Sequence, residues 1–257
     1  MAQPDDARLT FVGHATVLIE MGGSRLLTDP LLRNRLLGVF RRYGHLEREV
    51  IGSVDAVLIS HLHHDHLDLP SLRALGSGTP IVGPPGTAGF LRRRGFARVT
   101  ELAPGDVGEV SGIEVRAVDA RHPGGRIFGP GRSECVGYVI DGSRRIYFAG
   151  DTELFEGMAY LASGLDVALL PVWGWGPTLG PGHLNPLTAA QALTLIRPRI
   201  AIPIHWGTLA LPASNRLWPW LLTDPGHRFL EHAQRLAPSV QASLLHPGES
   251  LTLNQGG

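Results

Sequence analysis

The sequence predicts an α/β protein in which two β-sheets stack and helices cover their outer faces. Two observations carry this reading. Runs of short apolar strands joined by glycine turns give way to alternating helix and strand, and the pattern occurs twice along the chain. Side chains capable of chemistry recur where a strand ends and a loop begins, which is where open α/β sheets bind ligands. No repeat is visible at the level of residue identity and no linker divides the chain, so residues 1–257 are expected to form one domain.

The first run opens as a meander. Leu9–Val12 and Ala15–Glu20 are expected strands joined at Gly13-His14, and Gly22-Gly23 turns the chain into a third at Arg25–Thr28. Pro30 stops that strand and leaves Asp29 at its end. Leu31–Tyr43 mixes Leu, Val and Phe with Arg33, Arg35, Arg41 and Arg42, which suits either a lid over an anionic or acyl substrate or an amphipathic packing segment. Val54–Ile59 is mostly apolar and β-branched, as internal strands are. Leu69–Leu75 reads as a short helix, Ile81-Val82 as a strand, and Gly86–Arg94 as a helix whose Arg92, Arg93 and Arg94 form a solvated face. Strands follow at Val99–Leu102, Ile113–Ala120, Cys135–Ile140 and Arg145–Ala149, with glycine-containing turns between them. The second half then alternates: Phe155–Leu161 helical, Val167–Leu170 a strand, Leu187–Ile196 helical and Ile200–Ile204 a strand.

Composition narrows the function. Hydrophobic residues make up 43% of the chain and charged residues 18%, enough apolar material for a substantial core. Arg plus Lys and Asp plus Glu both number 23, and every one of those cations is Arg. A neutral chain without a basic tract has no means of bulk nucleic-acid capture, which disfavours a nuclease. Cys135 is the single cysteine, so no intrachain disulfide can form, and its place beside Val136–Ile140 suits a packed thiol rather than a nucleophile. Met1–Arg8 lacks the order of a signal peptide and no apolar run reaches spanning length. The expected location is cytoplasmic, with a homo-oligomer left open.

Within that frame, Ser60-His61-Leu62-His63-His64-Asp65-His66 concentrates four histidines and an aspartate in the loop after Val54–Ile59. Neighbouring imidazoles and a carboxylate have little reason to gather except to bind something, and the donor set suits zinc, manganese or iron. Four further residues share this placement. His122 follows Ile113–Ala120, Asp151 follows Arg145–Gly150, His183 lies in the Gly- and Pro-rich loop beyond Leu169–Val172, and His205 ends Ile200–Ile204. One histidine at a strand end is more often structural than a ligand; the recurrence is what makes these four candidates.

The order of these residues resembles the metallo-β-lactamase superfamily of binuclear hydrolases: His-x-His-x-Asp-His at 61–66, then His122, Gly150-Asp151-Thr152 and His205-Trp206. Gly13-His14-Ala15-Thr16, Thr28-Asp29-Pro30, His183-Leu-Asn-Pro186 and His205-Trp-Gly-Thr208 resemble the branch that contains L-ascorbate-6-phosphate lactonase and N-acyl-phosphatidylethanolamine phospholipase D. The resemblance implies an αββα sandwich of two mixed β-sheets with helices on the outer faces. It implies two divalent metal ions, zinc first with manganese or iron as alternatives. His61, His63 and His122 would hold one, Asp65, His66 and His205 the other, with Asp151 bridging them and positions left open for a shared water. Such a pair would supply hydroxide at neutral pH. Asp65 and His183 are the implied catalytic residues, His183 lying near the scissile group as a hydrogen-bond or proton donor. His14 and Asp29 would stand behind the ligands and set their tautomers. His64 is expected to be structural or solvent-facing, and His45, His227, His232 and His246 to be ordinary histidines.

The expected reaction is hydrolysis of an ester-type bond, whether a phosphodiester, a lactone or another acyl linkage, in a small-molecule or lipid-like substrate. An iron-dependent oxidoreductase on the same fold and a β-lactamase-type amide hydrolase are the competing readings. A binding protein without activity would have lost ligands, and here all seven positions are filled. Trp173, Trp175, Trp206, Trp218 and Trp220 fall around the second-half loops, where an aromatic wall would suit an apolar or acyl substrate. No basic cluster there supports a sugar phosphate. Leu31–Tyr43, the Trp173–Pro181 loop and Leu209–Trp220 are the elements expected to select the substrate.

Overall fold

The chain enters the first sheet through β1 (Ala7–Gly13), β2 (Thr16–Met21) and β3 (Ser24–Thr28), an antiparallel meander with the predicted connections. The computed structural model describes residues 6–43, 51–123, 134–161 and 163–254; His45 and the first five residues of Met1–Arg8 lie outside them. After β3 comes a small hairpin, β4 (Arg35–Leu36) and β5 (Phe40–Arg42). The chain then returns to the sheet with β6 (Ala56–Leu58), α1 (Leu69–Leu75), β7 (Ile81–Gly83), α2 (Thr87–Arg92) and β8 (Val99–Glu101), its strands now parallel.

The second sheet repeats the scheme. β9 (Val107–Val110), β10 (Ile113–Asp119), β11 (Val136–Asp141) and β12 (Arg145–Phe148) form a meander. A 3₁₀ turn at Glu156–Tyr160 leads to β13 (Val167–Pro171), then α3 (Pro186–Ile196) and β14 (Ile200–Ile204), with β12, β13 and β14 parallel. β15 (Leu209–Ala210), α4 (Ser214–Leu217), a second 3₁₀ turn at Pro219–Leu222, α5 (Asp224–Leu236), β16 (Gln241–Ala242) and β17 (Ser250–Leu253) complete the chain. The seven-stranded sheets run β17-β1-β2-β3-β6-β7-β8 and β16-β14-β13-β12-β11-β10-β9.

Alternation along each strand builds the layers, because successive side chains leave opposite faces of a sheet. In the second sheet Val115, Ala117, Ile146, Phe148, Val167 and Leu169 meet Leu9, Phe11, Val17, Ile19 and Leu58 of the first sheet in the central core. Their neighbours Val118, Tyr147, Ala168 and Leu170 face the other way, onto Ala189 and Leu193 of α3 and Phe229 and Ala233 of α5. On the far side, Val57 and Ile81 pack under Leu72 of α1 and Phe90 and Leu91 of α2. The result is the αββα stack of two mixed sheets. No described helix is long and apolar enough to cross a membrane.

Some elements differ from expectation. Phe155–Leu161 forms a 3₁₀ turn rather than an α-helix, with Gly157 inside it and no side chain capping its start. β9, β16 and β17 arise from segments that carried no strand pattern. They lie at the sheet edges, and each leaves part of its length accessible, so no continuous apolar signal marks them. Side chains close two of the helix starts. Asp68 caps α1 by accepting from Ser71 N, and Asn185 caps α3 in a reciprocal pair with Thr188. Cys135 is buried and its thiol is pushed up to about 12 by burial, as befits a packed side chain.

The two sheets are stitched together where β6 ends. Tyr138 Oη donates to Ile59 O at 2.8 Å, and Val136 N donates to Ser60 O at 3.0 Å. Gly150 closes the same point: it has φ +60°, and a Cβ there would lie 2.6 Å from Ser60 Cβ and 3.0 Å from Val136 O. Gly150→Ala is therefore expected to destabilise the protein by about 1–3 kcal/mol, through an unfavourable φ and a contact neither neighbour can relieve. A lowered urea midpoint with an unchanged slope is the expected readout.

Candidate metal centre

Seven donors from both sheets meet at the carboxyl ends of their strands. His61, His63, Asp65 and His66 follow β6, His122 follows β10, Asp151 follows β12 and His205 follows β14. The donor atoms of His61, His63 and His122 lie within 4.8 Å of one another, as do those of Asp65, His66 and His205 together with His14. Asp151 stands between the groups. Its Oδ2 is 3.1 Å from His66 Nε2 and 4.0 Å from His122 Nε2, and its Oδ1 is 3.3 Å from His205 Nε2.

Hydrogen bonds on the outer nitrogens decide which way each lone pair points. His205 Nδ1 donates to Trp173 O at 2.8 Å, and His122 Nδ1 donates to Gly182 O at 2.8 Å. Asp29 accepts from His66 Nδ1 at 2.7 Å and also from Ser60 N at 2.7 Å and Ser60 Oγ at 2.6 Å. With its proton committed to Asp29, the Ser60 hydroxyl can only accept from His61 Nδ1, 2.9 Å away. One carboxylate thus sets two imidazoles, His66 directly and His61 through a hydroxyl.

The inner nitrogens then face one another. His66 Nε2 and His205 Nε2 are 3.1 Å apart, and His122 Nε2 is 3.1 Å from His63 Nδ1. Two imidazole lone pairs at that distance repel unless a proton or a metal ion lies between them. His61 Nε2 is buried without a hydrogen-bond partner. An orphaned buried nitrogen beside two pairs of ring nitrogens drawn this close suits a donor set built for cations.

Charge follows the same logic. Burial lowers the His61 imidazole well below its ordinary value, brings His122 down to about 4, and with repulsion from His205 brings His14 to about 3, so all three are neutral at physiological pH. His66 is the exception: burial opposes its proton, but Asp151, Asp65 and Asp29 surround it and hold it well above the usual range. Burial pushes Asp65 and Asp151 upward, yet the imidazoles around them keep both well below ordinary carboxylates. His14 donates to Asp65 Oδ2 at 3.0 Å and stacks 3.9 Å from the His205 ring, and His205 N donates to His14 O. Three of the chain's positive-φ non-glycine residues, His14, Asp29 and His205, belong to this centre.

His183 lies beside the seven. Its Nε2 is 3.6 Å from Asp151 Oδ2 and its ring packs edge-on against His122 at 4.5 Å. Partial burial lowers its pKa, but the nearby Asp151 carboxylate outweighs that and raises it above the ordinary value. His183 opens, with His63, His64, Asp65 and Asp151, onto a cavity of about 470 Å³ whose other walls are Leu36, Leu37, Val39, Phe40 and Trp175. His64, expected to be structural or solvent-facing, lines this cavity.

The flanking segments depart from expectation. Leu31–Tyr43 does cover the site, but Arg33 and Arg42 turn away from the cavity. Arg33 pairs with Asp68 at 2.7 Å, while buried Arg42 donates to Val12 O and to Leu31 O. Of the five tryptophans only Trp175 lines the cavity. Trp206 is buried against the second sheet with its indole N–H on Pro203 O, and Trp173 and Trp220 pack edge-to-face at 5.4 Å. The Leu209–Trp220 segment acts through the hairpin: β15 pairs with β5, and Tyr43 N donates to Thr208 O. Ser60 and Thr208 lie within the motifs at 60–66 and 205–208, which carry no sign of their supporting roles, and Arg42 supports the site with no motif of its own.

Comparison with known proteins agrees with this architecture. A family model for the β-lactamase superfamily domain matches residues 24–206. A UPF0173 metal-dependent hydrolase from Methanopyrus kandleri is 33% identical over 251 residues, covering 95% of this chain and 98% of that protein. Among solved structures, a metallo hydrolase from Ignicoccus hospitalis superposes with a TM-score of 0.75 at 23% identity, over 97% of this chain and 99% of the other. A diiron β-hydroxylase from Streptomyces venezuelae reaches a TM-score of 0.69 at 21% identity, over 98% of this chain and 55% of its own.

Two outcomes are expected. Asp29→Asn removes the anion that organises His66 and His61, and metal affinity should fall about 10–100-fold; an unchanged affinity by chelator competition would contradict the arrangement. Metal loading must also displace the proton that the three carboxylates hold on His66, so binding near neutral pH should release protons and weaken as pH falls. Zinc titrations in buffers of different ionisation enthalpy should give correspondingly different heats.

Proposed function

The chain belongs to the metallo-β-lactamase superfamily of metal-dependent hydrolases, and from that premise we propose that it works with two divalent cations, zinc foremost, to open an ester-type bond in a small or lipid-like substrate. The observation that supports this most directly is the pair of inward-facing donor groups sharing Asp151. His61, His63 and His122 would hold one cation, and Asp65, His66 and His205 the other. When bound, such a pair lowers the pKa of a shared water toward roughly 7 and so supplies a nucleophile at neutral pH.

The protein's own residues supply the remainder. Asp65 is steadied by His14 on one side, which leaves its position independent of the substrate. Asp151 biases His183 toward its protonated form and holds Nε2 at the mouth of the cavity. There it is able to donate to the oxygen on which negative charge develops, or to the departing alcohol. The scissile group would be a phosphodiester, a lactone or another acyl linkage, since hydrolysis of each builds negative charge on an oxygen that such a site can stabilise.

Metal-replete protein assayed on phosphodiester, lactone, thioester and β-lactam substrates tests the proposal, with turnover expected on the ester-type members and not on the β-lactam. Asp151→Ala should lose metal and activity together. His183→Ala should keep its metal content and lose about 10²–10⁴-fold in kcat. Loss of a metal from His183→Ala would instead exchange the roles of His183 and His205. Iron with a dithionite-sensitive visible band, and no turnover on the panel, would sink the hydrolytic reading in favour of redox chemistry.

A further inference from the structure

The cavity above the metal centre has two chemically distinct parts. Its floor is His63, His64, Asp65, Asp151 and His183; its walls are Leu36, Leu37, Val39, Phe40 and Trp175. Four of those five wall residues come from one hairpin, β4–β5 and its connecting turn, and the fifth is held against it by the Phe40–Trp175 ring contact at 4.3 Å. Leu37, Val39 and Trp175 remain 45%, 52% and 38% exposed, although apolar side chains of that size usually find cover.

The hairpin presents this apolar surface to the cavity. Leu36 and Phe40 pack on Leu31 and Leu209, while the guanidinium groups of Arg33 and Arg42 are turned away to Asp68 and to the carbonyls of Val12 and Leu31. No arginine lines the cavity among the described residues. An anionic group away from the scissile bond would lie against hydrocarbon, with no cationic side chain among the described residues of the walls to offset its desolvation.

We propose that the hairpin selects substrates by an uncharged, apolar group attached to the scissile bond, aliphatic or aromatic, which seats between Leu37, Val39, Phe40 and Trp175 while the bond lies over the metal centre. The proposal rests on the hydrolytic reading above for the bond, and on the cavity alone for the group. At about 470 Å³ the space falls in the range of small-molecule sites. Such a group gains affinity by leaving water, so longer chains should be better substrates until the cavity is filled.

Two measurements on the full-length protein separate the proposals. The neutral fluorophore N-phenyl-1-naphthylamine should bind at one site, and Leu37→Asp and Val39→Asp, at exposed positions that carry no folding burden, should weaken it at least tenfold. Tyr160→Ser, an exposed aromatic on another face, should leave it unchanged. In parallel, esters with one leaving group and acyl chains of increasing length should show kcat/KM rising by up to about fourfold per methylene seated, a slope that Leu37→Asp flattens. Equal turnover of short, long and carboxylate-bearing esters, or dye binding indifferent to Leu37→Asp and Val39→Asp, would overturn the apolar selection while leaving hydrolysis intact. Dye binding as expected with no ester turned over would overturn the reaction and leave the apolar site standing.

Discussion

A single buried carboxylate organises the centre. Asp29 lies at the end of β3 with no exposure to water, and burial presses it toward its neutral form. Three donors oppose that pressure: Ser60 N, Ser60 Oγ and His66 Nδ1. All three come from the segment that follows β6, so the cost of hiding one anion is offset only if β3 and β6 end side by side. That requirement orients His66 directly and His61 through the serine hydroxyl, and it leaves their remaining nitrogens aimed at the other sheet. Val136 and Tyr138 then bind the carbonyls of Ser60 and Ile59, which brings β10, β12 and β14 with His122, Asp151 and His205 to the same edge.

What could be read from the sequence follows from where each element sits. Strands such as Val167–Pro171 and Ile200–Ile204 are enclosed on both faces and announce themselves as apolar runs. Edge strands such as Val107–Val110 are half wet and announce nothing. The hairpin at Arg35–Arg42 could not be recognised because its partner Leu209–Ala210 is far away in the chain, and two-residue strands carry no periodicity. At the centre the imidazoles and carboxylates stand out by type and spacing, whereas the carbonyls of Trp173 and Gly182 that orient His205 and His122 have no signature, since every residue has a carbonyl. Tryptophan position was a poor guide to the cavity for a related reason: an indole serves equally well under a loop as in a wall, and Trp206 and Trp173 took the first option.

The division of labour between centre and hairpin gives the chain two independent levels of control. Five of the seven donors are buried and His63 and His122 half-buried, and His61, His66, His122 and His205 are each oriented by a hydrogen bond from outside the centre, so their geometry owes little to what enters the cavity. The hairpin has few partners beyond its base, and its exposed tip offers side chains whose replacement touches no core contact. Reaction type and substrate choice can thus change separately, as folds that host many chemistries through variable loops require.

The base of the hairpin is built differently from its tip. Thr208 accepts the amide of His14 on its hydroxyl and the amide of Tyr43 on its carbonyl, and it lies three residues from His205. Gly13 is the residue that lets Arg42 and Thr208 approach: a Cβ there would stand 2.6 Å from the guanidinium and 2.8 Å from the threonine methyl. Gly13, Arg42 and Thr208 therefore form one packed unit spread over three segments. A hairpin grafted from a relative would arrive without its socket unless all three travelled together, and drift in the cassette is free at the tip but bounded at the hinge by the geometry of His14 and His205.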